Sequence, residues 1–371
     1  MKVAPIAREF ARDPGFFSST IVHTGQHYDV EMSSVFFEQL GLPRPDINLH
    51  VGSGSHARQT AAVMTGFEDV LLKMQPDVAL VVGDVNSTLA CALVAAKLGI
   101  PVAHVEAGLR SFDRSMPEEI NRVLTDQISD WLFTTEPDAE TNLVREGVDP
   151  ARVHFVGNVM IDTLLSCRER ARRLRVPEML GLGSSPYAVL TLHRPQNVDQ
   201  PDVFEQIMQG LTHAARDVVM VFPMHPRTRQ TLLQSSGAAD LLDSGRLRLI
   251  KPLGYLEFLG LIERSRAVLT DSGGVQEETT VLGVPCLTLR PNTERPATVS
   301  EGTNRIVGTS ARCIIEAWDA IKMSPPVGRR PLLWDGRAAP RIVEILRRHF
   351  EGQAPRRIER ASGALAAPHP A

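Results

Sequence analysis

Short apolar runs, each followed by a helical pattern, recur along almost the whole chain and restrict its fold most strongly. The runs are rich in Val, Ile and Leu and are nearly continuous rather than alternating with polar residues. Strands of this kind are buried on both faces, as in parallel sheets covered by helices. The predicted strands of the first half are Thr20–His23, Val78–Val82, Val102–Val105, Trp131–Thr134 and Val153–Val156, and those of the second half are Ala188–Leu192, Val218–Phe222, Leu247–Ile250, Ala267–Thr270 and Pro285–Leu289. Two such sets predict an α/β protein with two doubly wound domains.

The chain has 371 residues, which is long enough for two domains of ordinary size. We predict an N-terminal domain over residues 1–165 and a C-terminal domain over residues 166–335, joined near Ser166 by the helical stretch Asp162–Arg175. The helix Gly336–Phe350 is expected to return to the N-terminal domain. Residues 351–371 are rich in Ala, Pro and Arg and have little to bury, so we expect them to be disordered.

The composition excludes several classes of protein. The formal net charge is −3 at pH 7, so the chain has no excess of positive charge for binding nucleic acid. The four cysteines lie far apart and form no CxxC pair, which favours a reducing cytoplasm over a disulfide framework or a zinc site. The N-terminus lacks the pattern of a secretory signal, and the longest apolar region, Val78–Val105, is interrupted by Asp84 and Lys97. No membrane segment is therefore predicted.

Two polar motifs follow predicted strands, at the positions where open α/β sheets bind ligands. The motif at 104–110, HVEAGLR, offers an acid–base group, and the motif at 271–278, DSGGVQEE, offers free backbone N–H groups. The two glycines let the backbone turn tightly, and the next helix would point its positive end at a phosphate. An ordinary β–α turn capped by Asp271 or Ser272 explains the second motif equally well. Glu278 would repel a phosphate and suits the hydroxyl groups of a ribose better.

Three carboxylates follow the predicted strands of the first domain or begin the next helix. Asp84 and Glu106 end successive strands, and close carboxylates shift each other's pKa values apart, which suits one to accept a proton and the other to donate it. Glu118 precedes Arg122 by four residues on one helical face, whereas Glu119 points about 100° away. We interpret this group as a sugar-binding and proton-transfer site.

Each of these carboxylates also has a purely structural interpretation. Asp84 fits a helix cap, and Glu106 is placed to pair with Arg110. Ser115 and Glu118 together match a capping box, with a proline in the first turn of the helix.

His193 follows the predicted strand Ala188–Leu192. A histidine at the carboxyl end of a strand can bind or protonate a leaving phosphate. A solvated loop histidine is the alternative interpretation.

The GxGxxA motif at residues 52–57 matches the dinucleotide-binding fingerprint. That fingerprint requires an acidic residue at the end of a strand about twenty residues later, and the chain has none there. Nicotinamide-dependent sugar epimerases of the short-chain class need a tyrosine followed four residues later by a lysine. No tyrosine of this chain has a lysine at that spacing, so the sequence excludes this class.

Taken in order, these motifs resemble those of the non-hydrolysing UDP-N-acetylglucosamine 2-epimerases. The set that carries the resemblance is TGQHYD at 24–29, GD at 83–84, HVEAGLR at 104–110, PEEINR at 117–122, GN at 157–158, HR at 193–194, DSGGVQEE at 271–278, ERP at 294–296 and WDG at 334–336. The resemblance covers residues 2–350 and implies a GT-B arrangement, in which two Rossmann-like domains enclose the active-site cleft.

The resemblance also implies a reaction. Members interconvert UDP-N-acetylglucosamine and UDP-N-acetylmannosamine by eliminating UDP and adding it back, without a nicotinamide or metal cofactor. A cytoplasmic homodimer that serves cell-envelope polysaccharide synthesis is implied as well. Because the C2 proton is weakly acidic, a positioned base must act together with stabilisation of the leaving group. UDP must stay bound between the two half-reactions, which favours a closing cleft.

The resemblance assigns roles to individual residues of this chain. It implies that the catalytic residues are Asp84, Glu106, Glu118, Arg122 and His193. It implies that the substrate-binding residues are Lys2, Leu253, Phe258, Ser272, Gly273, Gly274, Glu278 and Arg295. Within the second set, residues 272–274 would bind the diphosphate, Glu278 the ribose, and Phe258 with the backbone near Leu253 the uracil.

Two departures from the family pattern lie near the N-terminus. The family begins with a strand and a loop that would lie upstream of Met1, so we expect the native protein to extend by roughly a dozen residues, the length of one strand and a loop. Tyr28 and Asp29 differ from a common pattern at the site where a second substrate molecule activates some bacterial members. Allosteric activation is therefore left open.

Other functions stay open on the sequence alone. A GT-B glycosyltransferase would share the nucleotide-binding half, a hydrolysing epimerase would release UDP and free sugar, and a nucleotide-sugar sensor would bind without catalysis. The three carboxylates argue against the first and the last. Close relatives act on UDP-sugars with a uronic acid or a second acetamido group, so the exact sugar and its pathway are open too.

Overall fold

The computed structural model describes residues 1–25, 37–183, 185–224, 232 and 236–352. Its strands are β1 (Val22–His23), β2 (Ile47–Asn48), β3 (Ala79–Val82), β4 (Val102–Ala107), β5 (Trp131–Thr134), β6 (Val153–Phe155), β7 (Tyr187–Thr191), β8 (Val219–Pro223), β9 (Leu247–Ile250), β10 (Ala267–Thr270), β11 (Cys286–Thr288) and β12 (Asn304–Ile306). The predictions for residues 26–29 and for the tail from residue 353 lie outside the described residues.

Helices separate most of these strands, as the sequence pattern predicts. They are α1 (Val3–Phe10), α2 (His56–Met74), α3 (Asn86–Lys97), α4 (Pro117–Ile128), α5 (Pro137–Arg145), α6 (Val159–Arg173), α7 (Val176–Met179), α8 (Pro195–Val198), α9 (Pro201–Ala214), α10 (Ser236–Asp243), α11 (Tyr255–Glu263), α12 (Gly273–Leu282), α13 (Ala297–Ser300), α14 (Ala311–Met323) and α15 (Ala338–Phe350), with a 3-10 turn at Pro150–Arg152. Among the helices of the described residues, none combines the length and hydropathy that a bilayer crossing requires.

All of the sheets are parallel. The C-terminal sheet has the strand order β12-β11-β10-β7-β8-β9, and the N-terminal sheet has the order β3-β4-β5-β6. Strands β1 and β2 pair with each other in a separate two-stranded sheet. In the C-terminal sheet the order reverses between β10 and β7, which creates the crevice at which doubly wound sheets bind ligands.

Each large sheet is covered on both faces. Along β7, Ala188 and Leu190 belong to one hydrophobic cluster, whereas Tyr187 and Val189 belong to the other. Successive side chains of a strand point to opposite faces, so burial of both faces requires an uninterrupted apolar run. The expected α/β architecture with two doubly wound domains is confirmed.

The C-terminal helix α15 packs against the N-terminal sheet. Ile342 and Leu346 lie in the same hydrophobic cluster as Val105 of β4 and Phe133 of β5. The chain therefore crosses back over the first sheet after completing the second one.

The sequence places most strand ends within two residues, but its predicted strands do not include β2 and β12. The predicted helical stretch Asp162–Arg175 corresponds to α6, which begins earlier, at Val159, and ends at Arg173. Strand β12 contains Asn304 and Arg305, and such polar residues do not produce an apolar run.

Asp162 of α6 caps helix α15 from a distance. Its buried carboxylate accepts hydrogen bonds from the backbone N–H groups of Ala338 (3.1 Å) and Ala339 (2.7 Å). We predict that Asp162→Ala lowers the free energy of unfolding by about 1–3 kcal/mol, because it leaves buried amides without partners. Urea denaturation monitored by circular dichroism measures the change.

Asp335→Ala is the matched control, because Asp335 pairs with Arg341 at the surface. An exposed ion pair contributes roughly 0–1 kcal/mol. Equal unfolding free energies for the two variants would contradict the capping role of Asp162.

Candidate active site

The crevice at the switch point is organised by Asp271, which directly follows β10. Asp271 is fully buried and accepts hydrogen bonds from the backbone N–H groups of His193 (3.1 Å) and Arg194 (3.0 Å). Its Oδ1 lies 2.7 Å from His193 Nδ1, and the imidazole itself stays exposed. Burial would raise the pKa of Asp271, but His193 and these amides outweigh it and hold the pKa below its usual value. Asp271 thus orients His193 toward the open side of the crevice.

The turn at residues 271–274, which we name the phosphate turn, leads into helix α12. The carboxylate of Asp271 binds the His193 loop rather than the helix, so the interpretation of Asp271 as a helix cap is wrong. Ser272 does occupy the N-cap position of α12, but its side chain makes no capping hydrogen bond. A side chain at Gly273 would collide with the guanidinium of Arg295 and the carboxylate of Glu294. Glycine is therefore required where Arg295 approaches the backbone of the turn.

A pocket of about 180 Å³ opens beside the phosphate turn. It is lined by Met1, Met160, Leu253, Gly254, Tyr255, Phe258, Ser272, Gly274, Val275 and Glu278. Pockets that enclose a whole ligand measure roughly 300–1,000 Å³, so this one fits part of a larger ligand. Five of the predicted substrate-binding residues line it together.

Two buried polar groups in this pocket, the Glu278 carboxylate and the Tyr255 hydroxyl, lie close enough to affect each other's pKa. Glu278 Oε1 and the Tyr255 hydroxyl are buried, and neither makes a hydrogen bond of good geometry with the described residues. Burial raises the pKa of Glu278 to about 7 against the opposing effect of Tyr255, with Glu277 adding to the rise. Buried polar atoms in native structures normally have partners, and these two can still form hydrogen bonds with groups that enter the pocket.

On the N-terminal side, Glu106 is the next-to-last residue of β4 and has a left-handed backbone conformation, with φ of 73°. The register with β5 shifts between Val105 and Ala107, so the chain is irregular at this residue. The Glu106 carboxylate is buried, pairs with Lys2 Nζ, and lies 2.9 Å from Arg295 Nη2. Backbone strain of this kind clusters at functional sites.

The structural interpretation of Glu106 is wrong. Arg110 does not pair with it; Arg110 Nη2 lies 2.7 Å from both Asp126 Oδ2 and Glu146 Oε2. The predicted Glu106–Arg110 salt bridge is replaced by contacts of Glu106 with Lys2 and Arg295.

Asp84 lies close to the same charges. It pairs with Arg122 Nη1, and its carboxylate and that of Glu106 together raise the pKa of Lys2 above its usual value, although burial opposes them. We name Asp84, Glu106, Lys2, Arg122 and Arg295 the charge cluster. The five residues come from segments far apart in the sequence, and all five belong to the predicted site.

Glu118 and Glu119 face different surroundings. Glu119 is buried, lies 2.7 Å from Arg122 Nη2, and accepts hydrogen bonds from the backbone N–H groups of Ser111 (3.0 Å) and Phe112 (2.9 Å). Glu118 is half-buried and lies close enough to Arg194 to affect its pKa. Sequence reasoning treated Glu119 only as the residue that points away, whereas it binds both Arg122 and the loop after β4.

The capping-box interpretation of Glu118 is also wrong. Helix α4 has Met116 at its N-cap position, and the Ser115 hydroxyl donates to Asp113 Oδ1 (2.6 Å) instead.

Two further residues hold the strand ends in place. His104 Nδ1 lies 2.7 Å from Asp126 Oδ1, and His104 Nε2 lies 2.8 Å from the carbonyl oxygen of Gly83. Both ring nitrogens therefore lie within hydrogen-bonding distance of an acceptor oxygen. Burial would raise the pKa of Asp126, but His104 and Arg110 lower it. The contact ties the end of β3, which carries Asp84, to β4.

Sequence reasoning also missed Glu277, Glu294 and Asn158. Arg295 Nε lies 2.9 Å from Glu277 Oε1, Arg295 Nη1 pairs with Glu294, and the Asn158 side-chain amide donates to Glu277 (2.9 Å). All of them are buried. In the sequence, Glu277 has the position of an acidic residue that simply favours the helix dipole. Its two partners, Asn158 and Arg295, lie in the motifs GN at 157–158 and ERP at 294–296.

The geometry matches a known family. The family model described as UDP-N-acetylglucosamine 2-epimerase matches residues 8–347. This chain belongs to the UDP-N-acetylglucosamine 2-epimerase family. It is 44% identical over 351 residues to the UDP-N-acetylglucosamine 2-epimerase of Methanocaldococcus jannaschii, covering 93% of this chain and 95% of the relative. The resemblance inferred from the motifs is confirmed.

Two further comparisons extend the assignment. The crystal structure of the M. jannaschii epimerase in complex with UDP-GlcNAc and UDP superposes with a TM-score of 0.86, covering 93% of this chain and 95% of that one. The chain is also 43% identical over 333 residues to the UDP-2,3-diacetamido-2,3-dideoxy-D-glucuronate 2-epimerase of Pseudomonas aeruginosa, covering 89% of this chain and 91% of the relative. The expected GT-B arrangement of the epimerase family is confirmed.

We predict that Asp126→Ala destabilises this family member by about 3–5 kcal/mol, because it removes the carboxylate that the buried Arg110 guanidinium and the buried His104 ring share. Glu146→Ala is the control, since Glu146 is partly exposed and serves Arg110 alone; it should cost about 1 kcal/mol or less. Thermal and urea unfolding compare the two variants. A smaller loss for Asp126→Ala than for Glu146→Ala would refute this account.

Proposed function

We propose that this protein reversibly interconverts UDP-N-acetylglucosamine and UDP-N-acetylmannosamine by elimination and re-addition of UDP. The observation that carries the proposal is the position of Arg295, which contacts the buried Glu106 and packs against the phosphate turn at Gly273. A proton-accepting carboxylate and an anion-binding backbone therefore lie on two sides of one guanidinium. That separation suits a substrate whose C2 hydrogen and C1–phosphate bond must react together.

In the elimination, a carboxylate takes the proton from C2 and the electron pair of that C–H bond forms the C1–C2 double bond. The C1–O bond breaks, and its electrons stay with the β-phosphate of UDP. Return of a proton to the other face of C2, with re-addition of UDP to C1, completes the epimerisation. Asp84, Glu106 and Glu118 are the candidate bases and acids, and Arg122 positions Asp84.

The leaving group needs stabilisation because the C2 proton is weakly acidic. We assign the diphosphate to the phosphate turn, where the first amides of α12 and the positive end of its dipole meet the anion. His193, oriented by Asp271, is assigned to the developing charge on the β-phosphate. Lys2 and Arg295 complete the positive side of the site.

The pocket beside the turn is assigned to uridine. The ribose hydroxyls would form hydrogen bonds with Glu278 Oε1 and the Tyr255 hydroxyl, neither of which makes one of good geometry with the described residues. Phe258 and the backbone at Leu253 line the remainder and are assigned to the uracil ring.

A modified UDP-sugar is the second candidate substrate. The identity to the P. aeruginosa diacetamido-glucuronate enzyme, 43%, is almost equal to the 44% identity to the M. jannaschii enzyme. Parallel assays with both UDP-sugars and a comparison of kcat/KM decide between them.

We also propose a homodimer that works in the cytoplasm. The family resemblance supports the dimer, and the four free cysteines suit a reducing compartment. Light scattering of the purified protein measures the oligomer.

We predict that proton NMR of UDP-N-acetylglucosamine with the protein in D2O shows both C2 epimers of the UDP-sugar, each with deuterium at C2. Glu106→Gln should lower the exchange rate by roughly 10²–10⁴-fold, because it removes a general base while preserving shape. UDP binding, measured by calorimetry, should persist in this variant.

Three results would count against the proposal. Accumulation of UDP with free N-acetylmannosamine indicates a hydrolysing epimerase, and binding without exchange indicates a sensor. Full exchange in Glu106→Gln removes Glu106 from the mechanism.

We predict that uridine binds more tightly as pH rises from about 6 to about 8. Glu278, whose pKa is about 7, is protonated at the lower pH, and its ionised form is the better acceptor for ribose hydroxyls. Below the pKa of Glu278, the association constant should rise by up to about tenfold for each pH unit, and above this pKa it should level off. An NMR titration with uridine, which carries no phosphate, measures the association constant at each pH.

Glu278→Gln is the control, because it should bind uridine with little pH dependence over the same range. An equal pH dependence in the wild type and in Glu278→Gln would show that another group is responsible.

A further inference from the structure

Glu277 and Glu278 are adjacent on α12 but point in different directions. Glu278 lines the uridine pocket, whereas Glu277 is fully buried and turned toward the charge cluster. Glu277 Oε1 receives two contacts at 2.9 Å, one from the Asn158 side-chain amide and one from Arg295 Nε.

Asn158 links Glu277 to the connection between the two sheets. Its Oδ1 accepts a hydrogen bond from the backbone N–H of Met160 (2.8 Å) and so caps α6, the helix between β6 and the second half of the chain. One side of the Asn158 amide fixes the helix start, and the other side holds Glu277.

Arg295 distributes its three guanidinium nitrogens among three carboxylates. Its Nε lies 2.9 Å from Glu277 Oε1, its Nη1 pairs with Glu294, and its Nη2 lies 2.9 Å from Glu106 Oε1. The contact at Nε is an ion pair without hydrogen-bond geometry, whereas Nη1 and Nη2 donate hydrogen bonds to Glu294 and Glu106. Because the guanidinium is planar and rigid, any movement of its Nε edge relative to Glu277 also moves Nη2 relative to Glu106.

The surroundings of Glu277 do not explain it as a stabilising residue. Its second oxygen, Oε2, is buried and makes no hydrogen bond with the described residues. Burial raises the pKa of Glu277, and Glu106 adds to the rise. Arg295, Lys2 and Asn158 lower it but do not outweigh the burial. Two further acids, Glu136 and Glu278, lie close enough to Glu277 for their pKa values to be affected by it. Buried ion pairs are often no more stable than apolar residues of the same size.

We propose that Glu277 is a positioning residue for the epimerisation, acting through Arg295 to keep Glu106 basic and correctly placed. This inference rests on the proposed function, because it requires Glu106 to exchange protons with the substrate. Without the negative charge of Glu277, the charge of Arg295 is shared by two carboxylates instead of three. Arg295 then attracts the Glu106 carboxylate more strongly, which makes this carboxylate less available to accept the C2 proton.

The test is Glu277→Gln, which keeps the size of the side chain and removes its charge. We expect kcat to fall by about tenfold or more, because catalysis by a base follows its basicity. KM and the affinity for UDP should change little, and the acidic limb of the pH–rate profile should move to lower pH. Glu278→Gln provides the contrast, since it should act mainly on KM and on nucleotide affinity.

Glu277→Asp distinguishes the effect of the negative charge from the effect of side-chain length. It keeps the negative charge but shortens the side chain, so kcat should fall while the acidic limb stays near its wild-type position. If Glu277→Gln does not fold, as judged by circular dichroism and UDP binding, Glu277→Asp alone decides, and an unchanged kcat overturns the proposal.

Other results also overturn it. An unchanged kcat in Glu277→Gln would show that Glu277 has no part in catalysis. A change confined to KM would assign Glu277 to binding. A lower kcat with an unmoved acidic limb and a matching loss of stability would assign it to folding. A wild-type protein that neither epimerises nor exchanges the C2 proton refutes the proposed function itself, and this inference with it. An active wild type with an unaffected Glu277→Gln refutes only the inference.

Discussion

The guanidinium of Arg295 contacts carboxylates from three segments of the chain: Glu106 at the end of β4, Glu277 on α12, and the neighbouring Glu294. Burial alone would lower the pKa of this arginine, and the three acids together raise it well above its usual value. Glu106 belongs to the N-terminal sheet and the other two acids to the C-terminal half. The relative position of the two halves at the cleft therefore depends on charge as well as on apolar packing, and Gly273 places the phosphate turn against the same group.

The backbone of β4 helps to bring Glu106 to that position. A regular strand would turn Glu106 to the face opposite Val105, into the packed layers of the sheet. The left-handed conformation at Glu106 and the register shift beside it end this alternation. Such a conformation costs about 1–2 kcal/mol for a residue with a side chain. The contacts around it offset that cost, since Asp126 accepts a hydrogen bond from the backbone N–H of Gly108 (3.1 Å) just after the strained residue.

The sequence predicts what depends on local pattern. Strands buried on both faces leave apolar runs, so the sequence predicts the bounds of β9 and β10 to the residue. The carboxyl ends of β3, β4 and β10 lead to Asp84, Glu106 and Asp271, respectively. Strand β12 and the partners of Arg295 leave no such mark. Glu277 is fixed by contacts with Asn158 and Arg295, which are distant in sequence, and a glutamate in the first turns of a helix is common for unrelated reasons. The choice between Arg110 and Arg295 as the partner of Glu106 likewise depends on how the sheets are arranged, which periodicity does not encode.

Helix α12 joins the two functions of the cleft because a helix turns about 100° per residue. Its first amides face the phosphate turn, Glu278 faces the pocket, and Glu277 faces Arg295. A shift of this helix on nucleotide binding would move all three together and would couple occupancy of the pocket to the placement of Glu106. Such coupling would serve the proposed elimination, in which UDP must remain bound while the sugar carbon loses and regains its proton. A protein that only bound the nucleotide would need Glu278 and the turn but not a second, fully buried glutamate turned toward the proposed base.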